Sequence, residues 1–242
     1  TIILLTLLLL APIFHARAQE PIRFSNVEVN LWPEYDRPSV LVIYRITLSA
    51  NTALPTNLTV RIPAAAGAPH AVAAKQTDGQ LFTVQSTSQT SGEWQILSLT
   101  ATMPELQIEY YDPGLTKDGS QRSYLYTWPA DHAVDAMIIE IQQPLDASNT
   151  TITPGPVSSV LGGDGLTYFY KDIGAVPVNQ TFTLKTTYDK ATDDLTLAAQ
   201  PVQPTTPLPT TPAWLTSLIN ALPWLVGILG VGPRAAGRLD DH

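Results

Sequence analysis

The residues of this chain best suited to chemistry are aromatic and carboxylate side chains set side by side in three short clusters. They are Leu31-Trp-Pro-Glu34-Tyr35-Asp36-Arg37-Pro38, Glu109-Tyr110-Tyr111-Asp112-Pro113-Gly114 and Tyr124-Leu-Tyr126-Thr-Trp128-Pro129-Ala-Asp131-His132. A ring can stack on the apolar face of a sugar or against a peptide side chain, while a neighbouring carboxylate takes a hydroxyl or amine proton. Pro33 and Pro38 bracket Glu34, Tyr35, Asp36 and Arg37. Proline restricts the backbone on both sides, so this loop is stiff and loses little entropy on binding. These four residues, with Asp131, are the candidate ligand contacts. The competing reading sends Trp32, Tyr124, Tyr126 and Trp128 inward, because aromatic residues dominate the cores of β proteins.

Signatures of catalysis are weaker. The chain has no Gly-x-Ser-x-Gly and no His-Glu-x-x-His, the spacings that build a serine nucleophile elbow or a zinc site. It has no cysteine, which removes thiolate metal sites, thiol nucleophiles and disulfides. Hydrolysis of a glycosidic bond needs two facing carboxylates. Glu34, Asp36, Glu109, Asp112 and Asp131 are available for that, and sequence does not give their separation. His132 beside Asp131 reads as a surface-loop histidine. Gly162-Gly-Asp164-Gly165 and Thr116-Lys-Asp118-Gly119 offer oxygen ligands but lack calcium-loop spacing, and read as hairpin turns. No catalytic residue, metal ligand or cofactor is assigned. Asn57, Asn149 and Asn179 open glycosylation sequons, which matter only in a eukaryotic source.

The elements that must hold these side chains are strands. Apolar residues recur at every second position in Val27-Val29-Leu31, Val40-Val42-Tyr44-Ile46-Leu48, Leu58-Val60-Ile62, Leu106-Ile108-Tyr110, Tyr124-Tyr126-Trp128, Met137-Ile139-Ile141 and Phe182-Leu184-Thr186-Tyr188. That period is the mark of a strand with one buried face. Turn chemistry separates the runs at Asp78-Gly79, Ser91-Gly92, Asp112-Pro113-Gly114, Asp118-Gly119 and Asp164-Gly165. Many short strands with such turns imply an all-β, antiparallel β-sandwich. Leu41 and Ile43 make the second run apolar on both faces, which predicts a central strand. A division into two smaller sandwiches near 112–122 is the alternative to one unit.

The ends of the chain carry an address. Thr1–Phe14 is apolar and is followed by Ala16-Arg-Ala18, a small-x-small cleavage pattern, so 1–18 reads as a signal peptide. An uncleaved N-terminal anchor is the alternative. The first residue is Thr, and a chain trimmed at its start is expected. Residues 19–194 form the extracytoplasmic sandwich. Residues 195–213 are rich in Pro and Thr and read as a semi-rigid stalk. Trp214 to Gly232 has no charged residue and is long enough to cross a bilayer, with Arg234 and Arg238 after it. Positive-inside logic then puts 214–232 in the membrane as a single span and 233–242 in the cytoplasm. A hairpin lying on the membrane, or a removable C-terminal tail, competes with the span. The 13 Lys/Arg against 21 Asp/Glu give a net charge of −8. No basic stripe is present, which argues against nucleic acid.

Trp32-Pro-Glu34-Tyr-Asp36-Arg-Pro38, Arg61-Ile-Pro63, Tyr110-Tyr-Asp112, Trp128-Pro129 and Asp164-Gly-Leu166 together resemble an uncharacterised family of bacterial membrane-anchored extracytoplasmic β-sandwich proteins. The resemblance implies the fold and the anchor, and more chain after the anchor than Arg238–His242 supplies. It carries no activity. The function expected is a membrane-anchored, non-catalytic module for a glycan, a peptide or a partner protein. The alternatives are a carboxylate-based, glycosidase-like hydrolase and a structural subunit of a cell-envelope complex.

Overall fold

The computed structural model describes residues 21–199. The chain divides into two units, Thr1–Ala199 and Gln200–His242, and every described residue belongs to the first. The expected signal segment, membrane span, tail and most of the stalk lie outside the described residues. Among the described residues no helix is long and apolar enough to cross a membrane.

The described residues are all-β, apart from a 3-10 turn at Ala64–Ala66 and a four-residue helix, α1, at Thr196–Ala199. The largest sheet has eight strands in the order β13 (Ser158–Leu161), β14 (Thr167–Val176), β11 (Ala133–Gln142), β1 (Arg23–Pro33), β2 (Val40–Leu48), β8 (Glu105–Asp112), β4 (Ala71–Lys75) and β5 (Leu81–Thr83). A four-stranded sheet runs β12 (Ser148–Thr153), β15 (Phe182–Asp189), β10 (Gln121–Trp128) and β9 (Thr116–Asp118). A three-stranded sheet runs β3 (Thr56–Pro63), β7 (Trp94–Ala101) and β6 (Ser86–Ser91).

The period-two residues of all three sheets enter one core. Val27, Val29 and Leu31 of β1 meet Val42, Tyr44 and Ile46 of β2, Tyr124, Tyr126 and Trp128 of β10, and Leu58 and Val60 of β3. Three aromatic residues in alternation on β10 each bury a large apolar area, and this is the main driving force for seating that sheet. The tyrosine tips are met, while the buried Trp128 Nε1 has no hydrogen-bond partner among the described residues. The Tyr44 and Tyr110 hydroxyls lie 2.8 Å apart, and the Tyr126 hydroxyl donates to that of Tyr44 at 3.1 Å. The Tyr124 hydroxyl donates to Asp112 at 2.9 Å. Gly79, Gly92, Gly119 and Gly165 sit at positive φ in the turns that sequence assigned them, with φ 87° at Gly79 and 81° at Gly165, where a side chain would strain the backbone.

Three features depart from expectation. First, the sheets are mixed: β1 pairs with β11 in parallel, with Arg23 opposite Ala133 and Leu31 opposite Ile141. The chain reaches β11 from β10, which lies in another sheet. Such a crossover lets neighbouring strands run the same way. Second, the ordered unit continues past Asp194. Thr196 N donates to Glu34 O at 2.9 Å and Leu197 N to Tyr35 O at 2.8 Å. Thr196 Oγ1 accepts from Leu145 N at 3.1 Å. The first N–H groups of a helix have no partner inside it, and these loop carbonyls supply one. Third, Trp32 does not turn inward with Leu31; strict alternation along β1 places it on the opposite face.

Candidate functional site

The face of the eight-stranded sheet that points away from the core carries rows of side chains in register. One row crosses Val160, Tyr168, Gln142, Trp32, Leu41 and Tyr111, from the pairs Val160–Tyr168, Gln142–Tyr168, Trp32–Leu41 and Leu41–Tyr111, with Trp32 one step beyond the Leu31–Ile141 pair. The next row reads Ser158, Tyr170, Glu140, Asn30, Ile43, Glu109 and Ala71. Trp32, Tyr111, Tyr168 and Tyr170 are all partly exposed. Asn30, Gln142, Leu41 and Ile43 lie among them and are buried.

Carboxylates tie this face together. Trp32 Nε1 donates to Glu140 at 3.2 Å, and the Tyr111 hydroxyl donates to Asp36 at 2.7 Å. The Tyr168 hydroxyl accepts from Gln142 Nε2 at 3.0 Å and donates to Asp164 at 2.6 Å. Burial first, then the hydrogen bond to Asp36, pushes the Tyr111 hydroxyl up to about 12. Burial, with the bond to Asp164, raises Tyr168 further above the ordinary tyrosine value. The Tyr111 and Tyr168 rings therefore stay neutral at any physiological pH, with their polar tips engaged.

The Glu34–Arg37 loop borders this face and splits in role. Glu34 is fully buried at φ 47°, a left-handed conformation uncommon for a residue with a Cβ. Its carboxylate accepts from the Tyr188 hydroxyl at 2.9 Å. It lies 2.9 Å from Lys117, 3.6 Å from Arg122 and 3.8 Å from Lys190. Burial works against the charge on Lys117, yet its bonds to Asp193 and Glu34 carry its pKa above the ordinary value. This cluster joins the loop to β9, β10, β15 and the chain that follows; Glu34 is an anchor and not a surface contact. Tyr35 is partly exposed and packs on Trp32, with ring centroids 4.9 Å apart and planes at 56°. Asp36 holds Tyr111. Arg37 is exposed, with its guanidinium 3.9 Å over the Tyr111 ring.

Asp131 is elsewhere. It pairs with Arg61 through side chain and backbone, and His132 beside it meets Thr59 O at 2.8 Å and Ile22 O at 3.2 Å. Asp131 thus lies near the Arg23 end of β1, while the loop follows Pro33. An 11-residue strand separates them by roughly 30 Å at ~3.3 Å per residue. Paired carboxylates of a glycosidase stand about 5–10 Å apart, so Glu34 and Asp131 do not form such a pair. Among the described residues no group of three or more His, Asp or Glu is arranged for a metal ion.

Sequence reasoning named Glu34, Tyr35, Asp36, Arg37 and Asp131 and weighed Trp32 as a core residue. It passed over Tyr168 and Tyr170, whose signal was available: Tyr168-Phe-Tyr170 places one ring inward and two outward, and Phe169 is the one that packs on the core.

Comparison with known protein families finds no match, and neither does comparison with curated proteins. Among solved structures, the M1 zinc metallopeptidase from Deinococcus radiodurans is similar at a TM-score of 0.44 and 16% identity, over 73% of this chain and 44% of that one. A mutant of the Deinococcus radiodurans enzyme bound to a Tyr-Ser-Ala substrate gives 0.44 and 16%, over 71% of this chain and 43% of that one. The chain spans less than half the length of these structures, and a likeness of this degree identifies neither fold nor activity.

Proposed function

We propose that this chain is a membrane-anchored extracytoplasmic β-sandwich module that binds a ligand without catalysis, and that the outer aromatic face of the eight-stranded sheet is its binding surface. The observation that carries this reading is the set of partly exposed rings Trp32, Tyr35, Tyr111, Tyr168 and Tyr170, gathered on one face, with carboxylates at the polar tips of Trp32, Tyr111 and Tyr168. Aromatic residues are enriched where binding energy concentrates, because they bury large area at low entropic cost. Four of the five candidate carboxylates are tied to a cation or a tyrosine, and Glu109 accepts from Gln107 at 2.7 Å. Glu34 lies in its ion cluster, Asp36 holds Tyr111, Asp112 holds Tyr124 and Asp131 holds Arg61. The extracytoplasmic address, the single span at 214–232 and the removal of 1–18 rest on the apolar ends and the arginines that follow the second.

The test is an array of glycans and peptides probed with the full chain and with Trp32→Ala. The expected result is at least one ligand whose capture falls tenfold or more in the variant, with the circular dichroism spectrum unchanged. Ligands indifferent to Trp32→Ala would remove the face from consideration. Address is tested separately: the mature protein begins at Gln19, and protease added to intact cells removes the sandwich while sparing a tag fused after His242.

A further inference from the structure

The rings of the outer face are evenly spaced. In the sheet order β14-β11-β1-β2-β8, Tyr168, Trp32 and Tyr111 stand on alternate strands and in one register row. Neighbouring strands lie ~4.8 Å apart, so successive rings repeat at roughly 9.6 Å. That interval is close to the two-residue repeat of an extended β-1,4-linked pyranose chain, in which every second sugar shows the same apolar face. Alternate strands of a sheet are also turned by about 40–50° relative to each other. The rings therefore follow a single twisted chain and not the flat surface of a crystal.

We infer that the ligand of this face is a neutral, β-1,4-linked polysaccharide chain laid across the strands, with one sugar on each of Tyr168, Trp32 and Tyr111; this rests on the reading of the face given above. The charge of the face selects the class. Glu28, Glu105, Glu109, Glu140, Asp36 and Asp164 outnumber Arg37, Arg45 and Lys75 there, and Arg45 and Lys75 are already paired with Glu28 and Glu105. Like charge then works against a polyuronate, while carboxylates between rings accept sugar hydroxyl protons. Arg37 adds a condition. Its guanidinium occupies the Tyr111 face that a sugar would take, and it has no ion pair among the described residues. A bound chain displaces it.

The experiment is titration calorimetry of the full 242-residue chain in detergent, with β-1,4-linked glucose and N-acetylglucosamine hexamers as probes and an α-1,4-linked glucose hexamer and a soluble polyuronate as controls. At least one β-linked hexamer binds and both controls fail. Trp32→Ala and Tyr168→Ala each weaken that binding tenfold or more with near-ultraviolet dichroism otherwise retained. Arg37→Ala tightens it several-fold, because the third ring is uncovered. No binding by either β-linked hexamer, equal binding of the α-linked hexamer, or indifference to Trp32→Ala and Tyr168→Ala overturns the inference. Weaker binding in Arg37→Ala overturns the placement on Tyr111. If sugars fail but an array peptide binds in a Trp32-dependent way, this inference falls and the binding face stands. If no ligand depends on Trp32, both fall.

Discussion

The two faces of the eight-stranded sheet hold the same kinds of side chain in opposite service. Tyr110 and Tyr111 are consecutive, as are Leu31 and Trp32, yet one of each pair is sealed in the core and the other stands at the surface. Inside, tyrosine hydroxyls bond mainly to one another, as in Tyr44, Tyr110 and Tyr126. Outside, they bond to carboxylates, as in Tyr111 with Asp36 and Tyr168 with Asp164. The difference teaches that ring content alone does not mark a site. What differs is where the polar tip ends: on another buried group inside, including Asp112 for Tyr124 and Glu34 for Tyr188, and on a carboxylate at the surface outside.

The contrast can be broken most forcefully from the inside. Trp128 is 2% exposed, and Trp128→Ala should cost about 3–5 kcal/mol in urea unfolding, because a large cavity opens where three sheets meet. Glu34→Ala comes next. It removes the buried carboxylate shared by Lys117, Arg122 and Lys190, leaving Arg122 with Asp193 and Lys190 with the Asp194 carbonyl; loss of one side of a buried ion cluster costs about 3 kcal/mol, and an unfolding midpoint unchanged by the substitution would show the cluster to be idle. Tyr35→Ala should cost under about 1 kcal/mol, the size of one exposed ring pair, and a larger loss would make Tyr35 a core residue in effect.

An alkaline titration separates the faces without mutation. The folded state raises the Tyr111 hydroxyl to about 12, against 10.0 for an ordinary tyrosine. Burial holds Tyr44, Tyr110, Tyr124 and Tyr126 up as well. The neutral phenol is the form the fold favours. Above pH 10 the unfolded chain releases these protons first, so stability is complete below about pH 10 and falls as pH rises from there. Tyrosinate absorbance should appear in two stages: Tyr111 before unfolding, and Tyr44, Tyr110, Tyr124 and Tyr126 only with it. Tyr111→Phe should remove part of the early stage and leave the second intact. Core tyrosines ionising in the folded protein would undo the distinction.

Much of the inner face was legible in sequence, because a buried face must be apolar at every second residue, and β1, β2, β3, β8, β10, β11 and β15 all show it. β6 was not, since Ser86-Thr-Ser-Gln-Thr-Ser91 is an exposed polar edge strand whose place is set by its pairing with β7. The parallel β1–β11 pair was hidden too, because period two says nothing of direction. The site was half legible. The two prolines pointed to the 34–37 loop, and Tyr35 is indeed at the surface. The fate of Glu34 depends on Lys117, Arg122 and Lys190, which are far away in sequence and are brought to it only by the fold. The outer row of rings arises from register between strands that no local pattern encodes.

The hydrogen bonds from Thr196 and Leu197 to the carbonyls of Glu34 and Tyr35 have a mechanical consequence. The chain leaves the described unit beside the very loop that borders the ring face. A force applied between Trp32 and Ala199 runs through that loop and its buried ion cluster. The load path is short, and most of the sheets lie outside it. Pulling on Ala199 would therefore load the 34–35 backbone and the Glu34 cluster before it loaded the core.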